Sequence, residues 1–255
     1  MEISESDKTG IKYWTKHGKI GMMGKFGNLS PDPRWYYKNS SNAVCFDVSL
    51  TPLPKTSYAY ITESDFLTIP KKEIKSKYIL NQIVSNIDDK FLSVRGNKYK
   101  EFRNVINRYK GLDIKESPES LDEVLTFINE WEEYRGDAKY GWQMHTGYDK
   151  SFFERFYGKE TDIQCLFFYQ VERLVGFSVI SIDNPKEPLV YMLGKNDTRL
   201  KGLSLYIDFI SFKKLYEKFG KVLINWGASS GSLLSYKRKF PIYTEDKLYF
   251  FRKVL

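Results

Sequence analysis

The chain has 255 residues, 42% hydrophobic and 28% charged, enough to bury a real core in one large domain or two small ones. Forty Lys and Arg against 32 Asp and Glu leave a formal charge of +8, and aromatic residues reach 16%. The aromatic content excludes long disordered stretches; the charge favours polyanionic partners such as nucleic acid, anionic lipid or phosphorylated cofactors, although lysine-rich composition alone produces the same excess. Cys45 and Cys165 lie far apart in apolar runs and read as reduced core residues, with no disulfide framework. His17 and His145 have no partners at ligand or triad spacing, so no metal is expected. No run reaches the roughly 18 apolar residues of a membrane span. The acidic start, Met1-Glu-Ile-Ser-Glu-Ser-Asp, is unlike a secretory signal, and the expected compartment is cytoplasmic.

Along the chain, strands are predicted at 43–50 and 57–62, followed by a helix at 71–87 on the spacing of Ile74, Tyr78, Ile83, Val84 and Ile87. A short strand at 91–95 leads through Gly96 into a helix at 97–109, whose apolar stripe is Tyr99, Phe102, Ile106 and Tyr109. Residues 111–115 read as a linker. Ser117 then caps a helix with Pro118 at its first position, carried on by Leu121, Val124, Leu125, Ile128 and Trp131. Asp149 caps a further helix that Gly158 ends. Strands at 162–170 and 174–182 form a hairpin about Val171-Glu-Arg, and 189–193 is a third strand. A long helix at 203–219 closes at Gly220; a buried strand at 222–226, a short helix at 233–239 and a strand at 247–254 complete the chain. The pattern is α/β, with a mixed sheet. A domain boundary is expected at the linker, dividing 1–115 from 116–255.

Three segments carry chemistry. Arg199-Leu-Lys-Gly-Leu-Ser204 lies between a predicted strand and helix, where backbone N–H groups can face a pyrophosphate with no side chain in the way. Arg199 and Lys201 add positive charge there; the bland alternative is a solvated surface turn. Asn225 stands at a strand end, Tyr236 on the following helix, and Asp208 is isolated among apolar neighbours, facing either a cleft or a polar contact in the core. The series Tyr191-Met-Leu-Gly194, Arg199-x-x-Gly202-x-Ser204 and Asn225-Trp-Gly-Ala-Ser resembles the acyltransferases of the GCN5-related (GNAT) type, whose phosphate loop reads Gln/Arg-x-x-Gly-x-Gly/Ala. The resemblance implies a donor site made by Met192, Leu193, Arg199, Lys201, Gly202 and Ser204. It implies backbone donors near Met192 and Leu193 for the oxyanion, and Asn225 orienting substrate. It also implies Tyr236 as acid for the leaving group, although Tyr236 to Phe240 is one residue shorter than that pattern and a buried aromatic serves as well.

The segment Leu92-Ser-Val-Arg-Gly-Asn-Lys-Tyr-Lys-Glu-Phe-Arg-Asn-Val-Ile-Asn-Arg-Tyr109 resembles the lysyl-phosphatidylglycerol synthase C-terminal domain family through Gly96, Lys98, Tyr99, Arg103, Asn104, Ile106 and Asn107. A second match follows at Gly227, Ser229, Leu234, Tyr236, Lys237, Lys239 and Phe240. This resemblance implies two tandem GNAT-like halves, akin to the Fem aminoacyltransferases, with aminoacyl-tRNA as donor and an amine or hydroxyl as acceptor. Asn225, Tyr236, Lys237 and Asp208 are then the catalytic candidates. Lys98, Arg103, Asn107 and Arg108 are candidates for binding substrate or polyanion, against the plain reading of a charged helix face. Two other readings stay open: an acyl-CoA-dependent N-acyltransferase, and an inactive GNAT-like module that binds nucleic acid.

Overall fold

The computed structural model describes residues 35–39, 42–45, 57–62, 74–135, 162–182 and 184–253, with 67, 71, 150, 153–154 and 157–158. The strands are β1 (Trp35–Asn39), β2 (Asn42–Cys45), β3 (Ser57–Thr62) and β4 (Ile74–Ile87). Helix α1 (Asp89–Leu92) and a 3-10 turn (Asn97–Tyr99) precede α2 (Lys100–Tyr109), β5 (Asp113–Lys115) and α3 (Leu121–Arg135). Then come β6 (Ile163–Gln170), β7 (Arg173–Ser181), β8 (Leu189–Asn196), α4 (Leu203–Phe219), β9 (Val222–Ser229), α5 (Gly231–Lys237) and β10 (Ile242–Lys253). The helix expected between 149 and 158 lies largely outside the described residues.

Two compact units emerge. One comprises Met1–Ser85 with Asn225–Leu255, the other Asn86–Ile224, so the chain passes between them within β4 and again within β9. The boundary expected after residue 115 falls inside the second unit.

In the first unit β1 and β2 are antiparallel, β2 and β3 parallel, and β10 pairs antiparallel with both β3 and β4. Residues 74–87, expected to be helical, are therefore a strand. Ile83, Val84 and Ile87 are β-branched, which lowers helix propensity and suits a pleated, buried surface. Pairing with β10 supplies the backbone partners; Ile83 and Ile87 are fully buried.

In the second unit β5, β6, β7 and β8 follow one another antiparallel. The period-2 alternation of strands places successive side chains on opposite faces. Phe177 meets Phe127 of α3 and Phe153, whereas its neighbour Ser178 meets Ser211 of α4, hydroxyl to hydroxyl at 2.6 Å. Helix α2 lies on α4 through Phe91, Tyr99, Phe102 and Phe209, stacked edge to face. The β6–β7 hairpin turns on Val171 and Glu172, both at positive φ, as a two-residue turn requires.

Three further expectations are corrected here. Residues 89–92 are helical, not extended, because Asp88 caps the turn: its Oδ1 accepts from the Phe91 N–H at 2.9 Å. Within the expected linker 111–115, Asp113–Lys115 is strand β5, paired with Phe167–Tyr169 of β6 and followed by α3. Helix α3 starts at Leu121 rather than at Pro118. Tyr169 takes the Glu119 N–H into a hydrogen bond at 3.3 Å, and Ser120, not Ser117, accepts from Glu123 N–H as the cap. Among the described residues, no helix is long and apolar enough to cross a membrane.

Candidate active site

The loop after β8 is built from its own backbone. The Asp197 N–H donates to Val175 O, Leu200 N–H to Asp197 O, and Leu203 N–H to Leu200 O, which leads directly into α4. Gly202 sits at φ +82, a left-handed conformation that only glycine adopts without strain. A Cβ there would also stand 2.7 Å from Val105 Cγ1 on α2. The N–H groups of Lys201, Gly202 and Ser204 have no hydrogen-bond partner among the described residues. They lie at the amino end of a 17-residue helix, where unsatisfied N–H groups and the helix dipole attract anions.

Arg199 is engaged by its own neighbours. Its Nε donates to Asp197 Oδ1 at 2.8 Å and its Nη2 to Oδ2 at 2.5 Å, and its guanidinium lies over the Tyr134 ring at 4.7 Å. The bidentate bond holds the Asp197 carboxyl below the usual carboxylate range and raises Arg199 in turn. Lys201 has an exposed side chain.

Helix α2 reaches this loop. Arg108 Nη1 and the Tyr109 hydroxyl both donate to Lys201 O, at 2.7 and 2.9 Å. The structure thus brings two separately predicted groups together, 93 residues apart. Arg103 is used locally: it donates to Val94 O at 2.6 Å and Gly96 O at 2.7 Å, bracing a turn in which Val94 has φ +44. Lys98 lies over the Tyr99 ring, and Asn107 is exposed.

On β8 the ladder with β7 is broken at Met192: Leu193 faces Val179 and Tyr191 faces Ile180, so Met192 is a bulge. Asp208, 4% exposed, accepts from the Tyr191 hydroxyl at 2.6 Å. Burial first, and then the neighbouring Asp208 charge, push the Tyr191 phenol well above its ordinary range, so Tyr191 is the donor.

In the first unit Asn225 is 3% exposed, and its Oδ1 accepts from Gln82 Nε2 at 3.1 Å and from the Gly227 N–H at 2.9 Å. The Trp226 indole donates to Ser85 Oγ at 2.8 Å. Lys237, buried on α5, donates to Trp226 O at 2.6 Å and to Gly227 O at 3.2 Å. Tyr236 packs edge-on against Trp226 and Phe240. Asn225 and Lys237 therefore both hold the backbone of β9 at Trp226–Gly227, where Gly227 has φ +67. Gln82 and Ser85 escaped the sequence reading because their segment reads as a helix face; polar residues interrupting a buried Ile/Val run are the signal that could have found them. Among the described residues, no cluster of His, Cys, Asp and Glu could hold a metal.

No family model matches the chain, and no curated protein matches it. Among solved structures, the C-terminal domain of a putative lysylphosphatidylglycerol synthetase from Agrobacterium fabrum is similar at TM-score 0.59 and 12% identity, over 98% of this chain and 92% of that one. L-PGS from Bacillus licheniformis is similar at TM-score 0.54 and 17% identity, over 99% and 94%. A GCN5-related N-acetyltransferase from Kribbella flavida is similar at TM-score 0.51 and 9% identity, over 98% and 96%. The fold is GNAT-like. At these identities the likeness is one of fold, and it agrees with the resemblance carried by residues 92–109 and 227–240.

Proposed function

We propose that this GNAT-like chain is an acyltransferase that moves an aminoacyl group from aminoacyl-tRNA to an amine or hydroxyl acceptor. The observation that carries a donor site is the set of unused N–H groups at Lys201, Gly202 and Ser204, held open by α2 at the head of α4. That set suits a phosphate of the donor. In this reading the acceptor gives up its proton and attacks the donor carbonyl carbon. The oxyanion gathers charge near the backbone of Met192 and Leu193. The tetrahedral adduct then collapses and the ribose hydroxyl leaves, with no covalent enzyme intermediate. On the resemblance, Asn225, Tyr236 and Lys237 are assigned to the acyl group, and the exposed Asn107 and Arg108, with Lys98, to a nucleic-acid backbone. The aminoacyl donor is favoured because the A. fabrum protein of the same fold is named for lysylphosphatidylglycerol synthesis, whose product carries an aminoacyl group. Two tandem GNAT-like halves belong to the same proposal.

The same N–H groups would donate to the pyrophosphate of acyl-CoA equally well, and the K. flavida N-acetyltransferase supports that second reading. Melting curves with acetyl-CoA and, separately, with charged and uncharged tRNA decide between them. A ligand at about 100 times its Kd stabilises by about 2.7 kcal/mol. A shift with charged tRNA above that with uncharged tRNA, together with transfer of the labelled aminoacyl group to an added amine, is the expected result. A shift with acetyl-CoA alone favours the second reading. Salt-sensitive tRNA binding that ignores charging, with no transfer, defeats both.

A further inference from the structure

We propose that Tyr191 and Asp208 form a positioning pair that sets the strand carrying the acyl centre against the helix carrying the donor's phosphate, with Asp208 serving as a hydrogen-bond acceptor rather than as a base. The inference rests on the donor-site reading above. In a regular strand, residues three apart point to opposite faces. The bulge at Met192 removes that alternation and puts Tyr191 and Gly194 on one face of β8. The Tyr191 hydroxyl accordingly occupies the space of a Cβ at position 194, which would stand 2.0 Å from it. From there it donates to Asp208 Oδ1 at 2.6 Å. Asp208 lies on α4, in the turn after the Gly202–Ser204 entrance of that helix.

One hydrogen bond therefore ties the bulged residues to the helix that begins at the phosphate loop. In a transfer reaction the distance from phosphate anchor to reacting carbonyl must hold closely, and small misplacements are costly in rate. Glycine at 194 is required for that seat, since any larger residue evicts the hydroxyl. Asp208 is 4% exposed and its Oδ1 already accepts from the phenol, which suits an acceptor better than a base.

The test uses the full chain with Asp208→Asn, Asp208→Leu, Tyr191→Phe and Gly194→Ala. Asp208→Asn keeps a carbonyl acceptor for the phenol and is expected to hold kcat within about threefold, whereas loss of a true general base costs about a hundredfold or more. Tyr191→Phe and Asp208→Leu are expected to lower kcat about tenfold with KM unchanged, the mark of an interaction spent in the transition state. Amide exchange at Met192 and Leu193 rises in both, while protection across β6 and β7 stays as in the wild type. Gly194→Ala and Tyr191→Phe break the same bond, so the double variant exchanges no faster than Gly194→Ala alone. A hundredfold loss in Asp208→Asn, or unchanged exchange in Tyr191→Phe, overturns the proposal. If the wild type transfers from neither donor, the functional reading fails, and the exchange data still decide the pair.

Discussion

The Tyr109 hydroxyl donates to the carbonyl oxygen of Lys201 at 2.9 Å, joining residues 92 apart. In a trans peptide the carbonyl and the following N–H point in opposite directions. Fixing Lys201 O against Tyr109 and Arg108 on one side therefore aims the Gly202 N–H to the other, away from α2. The orientation of the loop is set by the helix behind it, as the proposed donor site requires. Tyr109→Phe leaves the carbonyl to Arg108 and is expected to cost about 0.5–1.5 kcal/mol of stability. Calorimetry reads this as a lower Tm, and donor affinity falls several-fold in the same variant.

Gly202→Ala puts a side chain at φ +82 and drives its Cβ into Val105. Holding a residue with a side chain there costs about 1–3 kcal/mol, visible as a lower urea midpoint. Adding Val105→Ala relieves the steric part and leaves the backbone part. A double variant as stable as Val105→Ala alone would show that φ at 202 is not strained.

Asn225→Ala deprives Gln82 and the Gly227 N–H of their shared acceptor inside the protein. Each buried donor left unpaired costs about 1–3 kcal/mol. Asn225→Asp keeps an acceptor oxygen and is expected to be the milder substitution in stability. Equal midpoints for the two would contradict the acceptor role seen in the structure.

Burial pushes the Cys165 thiol from its ordinary 9.0 up to about 12. The thiolate is the reactive form, so Cys165 in the folded chain is expected to resist iodoacetamide at about pH 8 and to react once urea unfolds it. The sign of the stability effect follows. Above pH 9.0 the unfolded thiol ionises and the folded one does not, so stability present below 9.0 is lost as pH rises towards about 12. Cys165→Ala should flatten the alkaline limb of the stability curve. Fast labelling of the Cys165 peptide in the native chain, followed by mass spectrometry, would contradict this placement.

Local pattern carried much of this protein. The helix 203–219, the hairpin about Val171–Glu172 and the glycine at 202 were legible because apolar period, turn chemistry and chain order agreed there. The resemblance in residues 92–109 and 227–240 named a fold that whole-chain superposition then matched. Residues 74–87 were illegible for a physical reason: their apolar spacing fits a helix, and pairing with β10, distant in the chain, makes them a strand. Charge was equally ambiguous. In sequence Arg103, Arg108 and Arg199 are alike as basic candidates for a polyanion or phosphate; in space one braces a turn, one anchors Lys201 O, and one is paired with Asp197.

The sequence by itself determined the order of the elements from β6 to α5 and the family of folds they build. It also placed a glycine where the loop after β8 enters its helix. Only the tertiary structure decided which donors in that loop are unsatisfied, and that Tyr191 seats on Gly194 and bonds Asp208. It also showed that Gln82 shares the acceptor of Asn225. Helical and turn preferences act over a few residues and are written locally. Hydrogen bonds between residues far apart in the chain depend on where packing brings their backbones, which no local pattern records.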